Sequence, residues 1–323
     1  DGVIVADPGI FMRIKQVAPR LELHISTQAN ITNAETVNFW YQLGSRRVVL
    51  ARELSLEEIK HIKRNIPEDM ELEVFVHGAM CISYSGRCLL SNYMANRDAN
   101  KGDCAQSCRW KYNLVEEKRP GEYYPIEQNE RGTFIFNSKD LCLIEYIDQL
   151  IDAGIDSFKV EGRVKTQFYV ATVIRAYRLG IDAYYEGRYD EEYKKFLFEE
   201  IKKASYRDFT TGFNFHKPTN EDQNYNSSAY IRGYDFLGLV LDYDETTQEA
   251  TIEQRNKFVV GDSIEAFGPY EKIHYFDIEY IKDEDGTMLE MANRAKQIVK
   301  IKVPEKLYKG DMLRRLVENE EKN

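Results

Sequence analysis

The sequence predicts an α/β fold, in which a TIM-barrel-like (β/α) domain is followed by a small antiparallel β-barrel. In the first part of the 323-residue chain, short and nearly continuous apolar runs alternate with helical patterns. Such runs are typical of strands buried on both faces of a parallel sheet, and their alternation with helices is typical of α/β domains. After residue 230, segments with a period of two recur between turn sequences such as DEDG, which indicates antiparallel strands.

The first domain contains six predicted strands: residues 3–8, 21–27, 47–54, 72–77, 133–138 and 157–163. A closed (β/α)8 barrel needs eight strands. Because the sequence opens directly on the run VIVADP, we expect the first strands of the barrel to be missing, either from the natural protein or only from this chain.

Helix boundaries are also predicted from local signals. Thr32 with Glu35, and Ser55 with Glu58, have the spacing of a capping box. Gly44 is a suitable residue to follow a helix, and Gly154 is suited to follow a helix over residues 140–153. Together these patterns divide the chain into a catalytic domain (1–203), a linker rich in Asn, Thr and Gly (204–230) and a β-barrel domain (231–318).

Charge and hydropathy limit the classes of function. The formal net charge is −10, whereas proteins that coat nucleic acid are basic, so any RNA contact requires a local basic patch. The sequence has no long apolar run, and we therefore expect no membrane-spanning helix. It also shows no secretory leader, which leads us to expect a cytoplasmic protein.

Four of the five cysteines lie close together in the sequence, as Cys81, Cys88, Cys104 and Cys108. Their spacing differs from the C-x2-C pairs of common zinc sites, and their neighbours are mostly polar, unlike those of buried core thiols. In a reducing compartment, clustered cysteines indicate a metal site or catalysis. Thiolates suit both zinc and iron–sulfur clusters.

Further polar side chains lie where the predicted strands end. His24, Gln28 and Asn30 follow the second strand, where they are suited either to bind a small carboxylated ligand or to cap the next helix. Arg52 and Glu53 end the third strand. A guanidinium there is suited to bidentate carboxylate binding, although a buried ion pair is the alternative.

The segment KVEGRVKT holds four charged residues. Strand alternation places Lys159, Glu161 and Arg163 on one face, with Lys165 just beyond. Mixed charge in a barrel mouth is costly without partners or substrate. We therefore predict catalytic roles for Glu161 and Arg163 and a substrate-binding role for Lys165.

Two residues directly after Cys108 suit contact with a nucleobase. Arg109 supplies a cation and Trp110 an aromatic plane, which are suited either to stack on an exposed base or to pack over a metal cluster.

Peptidase signatures are weak in this sequence. None of the five histidines lies in an H-E-x-x-H motif, and no G-x-S-x-G elbow is present. His77 precedes Cys81 by four residues and is the histidine we predict to act in catalysis. A Cys81–His77 nucleophile pair is conceivable, but binding of the thiol to a metal is the favoured interpretation.

Four segments resemble the signature of peptidase family U32, the collagenase-like proteins: HGAMCISYSGRCLLS, GDCAQSCRW, FNSKDLC and FKVEGRVKTQFYVATVIRAYR. The resemblance runs through essentially the whole chain, including RDFTTGF and the C-terminal domain. Within the family, the sequence is most similar to the prephenate-dependent tRNA uridine hydroxylases.

This resemblance implies a cytoplasmic enzyme with a TIM-barrel-like domain that converts the wobble uridine of tRNA, position 34, to 5-hydroxyuridine, with prephenate as co-substrate. It implies a 4Fe-4S cluster held by Cys81, Cys88, Cys104 and Cys108, with Cys142 replacing Cys108 in other relatives. The expected partners are the tRNA anticodon loop and a small carboxylated metabolite, and the oligomeric state stays open. The alternatives are a collagenase-like peptidase and a non-catalytic assembly subunit.

Overall fold

A computed structural model describes residues 2–81, 83–86, 88–110, 113–114, 124–125, 139–218, 222 and 230–317. Its contacts divide the chain into two compact units. The first unit comprises Asp1–Val164 with Arg207–Tyr230, and the second comprises Lys165–Tyr206 with Ile231–Asn323. No helix in the described ranges is long and apolar enough to cross a membrane.

The first unit contains helices, a seven-stranded mixed sheet and a two-stranded sheet of β5 and β6. In chain order its elements up to residue 160 are β1 (Gly2–Val5), α1 (Pro8–Val17), β2 (Glu22–Ile25), α2 (Ala34–Gln42), β3 (Arg47–Val49), α3 (Leu56–Arg64), β4 (Glu71–Ala79), α4 (Leu90–Ala95), β5 (Asn113–Leu114), β6 (Tyr124–Pro125), β7 (Asp140–Cys142), α5 (Ile147–Asp152) and β8 (Ser157–Val160).

The remaining elements alternate between the units. Helices α6 (Gln167–Tyr185) and α7 (Glu191–Lys202) belong to the second unit, and β9 (Phe209–Thr210) to the first. The second unit continues with β10 (Tyr234–Asp244), β11 (Glu249–Gln254), β12 (Phe258–Val259), β13 (Ser263–Phe267), β14 (Ile273–Asp277), β15 (Ile281–Lys282), β16 (Met288–Leu289), β17 (Met291–Ala292), β18 (Ile298–Lys302) and β19 (Met312–Leu316).

The sheet of the first unit has the order β1-β2-β3-β4-β7-β9, and β8 also pairs with β4. All of these pairings are parallel except β4 with β7. The central strand β4 is buried over seven consecutive residues, as its continuous apolar run predicts. The α/β class is thus confirmed. The described strands form no closed barrel, so the TIM-barrel part of the prediction is not confirmed.

Five of the six predicted strands coincide with β1, β2, β3, β4 and β8, and the sixth, 133–138, lies outside the described residues. The predicted helix over 140–153 is wrong at its start. There, residues 140–142 form β7, which pairs with β4 and β9, and α5 begins only at Ile147. Pairing with two neighbouring strands outweighs the local helical pattern at this position.

The predicted helix boundaries are largely confirmed. Ser55 and Glu58 form the capping box at the start of α3, with the Glu58 carboxylate accepting from the Ser55 N–H at 2.8 Å. Gly44 follows α2 with a φ of 93°, and Gly154 follows α5 with a φ of 79°, a conformation that favours glycine. The Thr32 box is wrong, because Asn33 caps α2 by accepting from the Thr36 N–H at 2.8 Å.

The second unit contains an eight-stranded antiparallel sheet with the order β14-β13-β19-β10-β11-β18-β15-β16. Its core is a single apolar cluster that includes Leu237, Val240, Ile252, Val299 and Leu313, all fully buried. The antiparallel C-terminal domain is therefore confirmed. The end strands β14 and β16 do not pair with each other among the described residues, so closure into a barrel is not confirmed.

Buried ion pairs join α6 and α7 to this sheet within the second unit. Glu200 on α7 lies 2.9 Å from Arg175 and 2.8 Å from Arg314, and all three side chains are almost completely buried. Glu265 binds the other side of Arg314 at 2.7 Å and also Lys203 at 2.9 Å. Because these contacts hold the helices to the sheet, the compact units divide the chain differently from the predicted boundaries at 203 and 230.

Candidate functional site

A cavity of about 370 Å³ lies at the carboxyl ends of the parallel strands in the first unit. This edge of a parallel sheet is where α/β proteins commonly bind ligands. The residues that follow β2, β3, β4 and β8 supply one wall, and residues 88–108 supply the other. The polar and sulfur-bearing side chains that line the cavity include Ser26, Gln28, Arg52, Cys81, Cys88, Cys104, Gln106, Cys108, Lys159, Glu161 and Arg163.

All four clustered cysteines therefore line one cavity. Cys88 is buried and the other three are partly exposed. Cys81 directly follows β4, and the remaining three lie on the segment that contains α4 and three short 3-10 turns. The Ser91 hydroxyl on α4 accepts a hydrogen bond from the Ala105 N–H at 2.9 Å, which ties α4 to the Cys104–Cys108 part of this segment.

The cysteine thiols interact electrostatically with one another. Burial raises the pKa of Cys81, and the neighbouring Cys88 and Cys104 raise it further, while a backbone hydrogen bond from Ser83 and the charge of Arg52 act in the opposite direction. In the described part of the chain, however, no group of three or more His, Cys, Asp or Glu side chains converges in a way that could hold a single metal ion.

Two cations line the cavity against one aromatic ring. The Arg52 guanidinium lies 4.5 Å from the centroid of the Phe75 ring and donates to the Ala79 carbonyl at 2.9 Å. Lys159 lies 5.7 Å from the same ring and donates to Glu73 at 2.6 Å. Backbone and carboxylate partners thus hold both cations in place, which reduces the entropy lost when an anion binds between them.

The buried Glu73 carboxylate balances the positive charge of Lys159 and Arg47. It accepts from Lys159, from the Ser157 hydroxyl at 2.9 Å and from Arg47 at 3.2 Å. Burial acts to raise the pKa of Glu73, but the hydrogen bond and charge of Lys159, helped by Ser157 and Arg47, outweigh it and the pKa is lowered.

Glu161 and Arg163 line the cavity together with Lys159, but they lie beyond the end of β8 at Val160 and are therefore not placed by strand alternation. The Glu161 carboxylate accepts from the Arg163 N–H at 3.1 Å. The Arg163 guanidinium lies directly over Gly102, where an added Cβ would come within 1.6 Å of its Nη1. Gly102 has a φ of 82°. The glycine therefore allows both the turn before Cys104 and the close approach of Arg163.

Glu53, which we predicted to bind substrate, has a different contact. Its carboxylate accepts from the Ser85 N–H at 2.9 Å and from the Ser85 hydroxyl at 2.5 Å. The same hydroxyl lies 3.3 Å from the Arg52 N–H, which donates to it. Glu53 therefore fixes the turn between Cys81 and Cys88, and it does not line the cavity.

Several other predicted site residues also lie outside the cavity lining. His77 is buried on β4 opposite Cys142 on β7, and its ring lies 5.7 Å from that of Phe209. Cys142 is buried in a strand, not on the amphipathic helix we predicted. Of the two alternative fourth cluster ligands, only Cys108 lines the cavity.

The remaining predicted substrate-binding residues have local partners or lie in local turns. His24 lies 3.4 Å from Glu22, and Asn30 ends the 3-10 turn after β2 in a left-handed conformation. Lys165 is in the second unit, 4.7 Å from the Tyr169 ring. The backbone of Arg109 lies in the turn that carries Cys108. Of the substrate-binding predictions, Gln28 and Arg52 line the cavity.

Sequence reasoning missed some of the lining. Phe75 lies inside the apolar run of β4, where nothing in the sequence distinguishes it from core residues. That Gln106 lines the cavity could have been predicted from the sequence, because it lies between Cys104 and Cys108. Its carbonyl oxygen accepts from the Tyr230 hydroxyl at 3.2 Å.

Comparison with known proteins places this site in a family. A model of peptidase family U32 matches residues 1–224, and a model of the U32 C-terminal domain matches residues 232–314. The chain belongs to peptidase family U32.

Some relatives are named tRNA hydroxylation proteins, and another is named Collagenase. The Bacillus subtilis (strain 168) protein named tRNA hydroxylation protein P1 is 46% identical over 97% of this chain and 74% of its own length. The Escherichia coli (strain K12) protein named tRNA hydroxylation protein P is 36% identical over 95% of this chain and 75% of its own length. A Porphyromonas gingivalis (strain ATCC BAA-308 / W83) protein named Collagenase is 33% identical over 99% of this chain and 77% of its own length.

Proposed function

We propose that the protein is a tRNA-modifying hydroxylase that forms 5-hydroxyuridine at wobble position 34, with prephenate as co-substrate and a 4Fe-4S cluster. The observation that carries this proposal is the meeting of four cysteines with Arg52, Lys159 and Arg163 in one cavity. It is supported by the similarity to relatives named tRNA hydroxylation proteins.

The donor set suits a cluster better than a single ion. Cys81, Cys88, Cys104 and Cys108 would hold it, one thiolate to each iron. Because the four irons are separate atoms, the sulfurs need not converge on one point, which agrees with the lack of a convergent ligand group among the described residues. When bound, the cluster would supply redox chemistry, or Lewis-acid activation only at an iron left without a cysteine ligand.

The cations of the cavity suit a small carboxylated co-substrate. Arg52 is held by the Ala79 carbonyl and the Phe75 ring, and it presents its remaining donors to the cavity. Arg163 follows β8 and lines the same cavity. Two guanidinium groups match two carboxylates in geometry and charge. Lys159 is neutralised by Glu73, and we assign it a positioning role.

Glu161 is the carboxylate we assign to proton transfer, because it lines the cavity beside Arg163. A general acid or base has to lie within hydrogen-bond reach of the reacting group. The uridine has to leave the anticodon stack to enter this cavity, and extrusion from a single-stranded loop costs little. His77 is buried on β4 and is not one of the residues that line the cavity, and we assign it no role in the proposed reaction.

The test combines metal analysis with nucleoside analysis. Protein purified without oxygen should contain iron and sulfide and absorb visible light, and tRNA from a strain that lacks the gene should lose 5-hydroxyuridine. Wild type should restore the nucleoside, Cys108→Ser should not, and Cys142→Ser should serve as the matched control that does. Protein without iron or sulfide even after reconstitution, or unchanged tRNA in a strain with no second such enzyme, would overturn the proposal.

A collagenase-like peptidase is the second candidate, favoured by the similarity to the relative named Collagenase. It predicts cleavage of gelatin or casein by the cluster-free protein. Cleavage by the cluster-free wild type that the Cys81→Ser variant lacks would favour the peptidase over the hydroxylase, since the same thiol would then act as a nucleophile.

A further inference from the structure

A second cavity, of about 890 Å³, opens on the surface of the second unit. It lies between the start of β14 and the loop that precedes β19, and we call it the β14 cavity. The side chains that matter for its chemistry are Tyr270, Lys272, His274, Lys306, Tyr308 and Lys309. It therefore combines aromatic rings with three lysines, in a chain whose net charge is −10.

The floor of the β14 cavity is rigid. Asp311 is buried and accepts from the Tyr270 hydroxyl and, at 2.8 Å, from the Tyr308 N–H. Burial raises the pKa of Tyr270, and the hydrogen bond and charge of Asp311 raise it further, so this hydroxyl stays a donor. Gly268 leaves the necessary room, because an added Cβ would lie 2.2 Å from Asp311 Oδ1.

Of the aromatic rings that line the β14 cavity, the ring of Tyr308 is the one exposed to a ligand. Tyr270 lies edge-on to His274 at 6.0 Å and to Tyr308 at 5.9 Å between ring centroids. Tyr308 itself is 55% exposed, and the Lys306 ammonium lies 5.6 Å from its centroid. An exposed tyrosine held from behind and flanked by a cation is a suitable platform for stacking a nucleobase.

Of the three lysines around this platform, Lys272 and Lys306 are paired with carboxylates. Glu305 is engaged by both Lys272 and His274, and Lys306 pairs with Glu245, which lies outside the cavity. Lys309 is exposed at the rim. The lining thus contains three lysines against the carboxylates of Glu305 and Asp311, and the Asp311 carboxylate is turned into the fold.

We propose that the β14 cavity binds RNA, with a base stacked on Tyr308 and a phosphate held by Lys309. This inference deepens the proposed function, on which it rests, by assigning part of the tRNA contact to a defined surface of the second unit. An acidic peptide would satisfy the lysines but would leave the exposed ring of Tyr308 without a partner, so RNA is the occupant we favour.

The test measures binding of an unmodified tRNA transcript to the full-length chain by fluorescence anisotropy at several salt concentrations. Tyr308→Ala should weaken binding by about 5- to 150-fold without changing the salt dependence. Lys309→Ala should lower the slope of log affinity against log salt by about 0.7–0.9, the loss of one phosphate contact.

Matched controls come from the same unit. Tyr275 is 67% exposed and adjacent to His274 on β14, where alternation points it to the other face. Lys195 is an exposed lysine on α7. Tyr275→Ala and Lys195→Ala should bind tRNA as wild type does, and far-ultraviolet circular dichroism should show all four variants folded.

The outcomes separate this inference from the proposed function. If wild type binds tRNA and the Tyr308 and Lys309 variants bind equally well, or if each control weakens binding as much as its partner, the β14 cavity is not the RNA site. If polyglutamate competes as well as tRNA, the surface recognises acidic peptide instead. If wild type does not bind tRNA at all, both the proposed function and this inference are wrong.

Discussion

Glu73 lies beneath the cysteine-lined cavity as the shared partner of Lys159, Arg47 and Ser157. Substitution Glu73→Gln keeps the size of the side chain but removes its charge. Lys159 then loses the carboxylate at 2.6 Å, while Arg47 keeps a second ion pair with Glu71 at 2.7 Å. The perturbation therefore falls mainly on Lys159 and on the β4–β8 pairing below the cavity.

The magnitude follows from the burial of the groups involved. Breaking a fully buried ion pair costs about 3–5 kcal/mol. Here Glu73 is 9% exposed at the side chain but Lys159 is 28% exposed, so water partly solvates the released ammonium. We therefore expect a smaller loss, of about 2–3 kcal/mol, in the stability of this region.

Hydrogen exchange is the appropriate measurement, because global unfolding of a chain with two units is not a two-state process. A loss of about 2–3 kcal/mol should speed exchange of the buried β4 and β8 amides by about 30- to 160-fold. The matched control is Glu71→Gln on the same strand, whose side chain is more exposed and whose loss should cost less than about 1 kcal/mol. Unchanged exchange in the Glu73 variant, or equal effects of both substitutions, would refute the reasoning.

The lowered pKa of Glu73 also determines in which direction the stability of this region changes with pH. Because the pKa of Glu73 is lowered from 4.5 in the folded state, its charge stabilises the fold fully above that value. The contribution is lost as the pH falls below 4.5 through the folded pKa. The difference in exchange between wild type and Glu73→Gln should therefore be constant at neutral pH and shrink in the acid range.

Three further predictions test other parts of the molecule. Glu200→Gln leaves the buried Arg314 without its partner at 2.8 Å and should cost the second unit about 3–5 kcal/mol, seen as a lower midpoint of thermal unfolding; an unchanged midpoint would contradict it. Ser55→Ala removes the cap of α3 and should cost about 1 kcal/mol, measured by faster exchange in its first turn, with no change in α5. Gly102→Ala costs about 1–2 kcal/mol at a left-handed position and displaces the Arg163 guanidinium, so both the proposed hydroxylation and the bound iron should fall; full activity with full iron content would count against a role for this contact.

The parts of the fold that were predictable from sequence are those governed by local chemistry. The Ser55 capping box and the glycines after α2 and α5 form where the sequence places them, because a cap needs only a few neighbouring residues. By contrast, β7 depends on pairing with β4 and β9, which are distant in sequence. No local pattern carries that information, so residues 140–142 resembled the start of a helix.

The candidate site, too, was predictable from the sequence only in part. The clustering of Cys81, Cys88, Cys104 and Cys108 and of the charged residues Lys159, Glu161 and Arg163 was visible in the sequence, and all seven side chains line one cavity. The direction of a side chain beyond a strand end was not predictable. Glu53 follows Arg52 directly, and yet one supports a turn while the other faces the cavity.

Among the contacts between the cysteine segment and the residues that follow the strands, two that the structure describes bear on how thiols and cations are positioned together. Glu53 holds Ser85 between the first two cysteines, and Arg163 lies over Gly102 just before the third. The same strand ends that supply the cations Arg52 and Arg163 therefore also position the thiols. A change that moves residues 81–108 must alter the anion-binding groups as well, so that, in the proposed reaction, cluster binding and co-substrate binding are coupled through these two contacts.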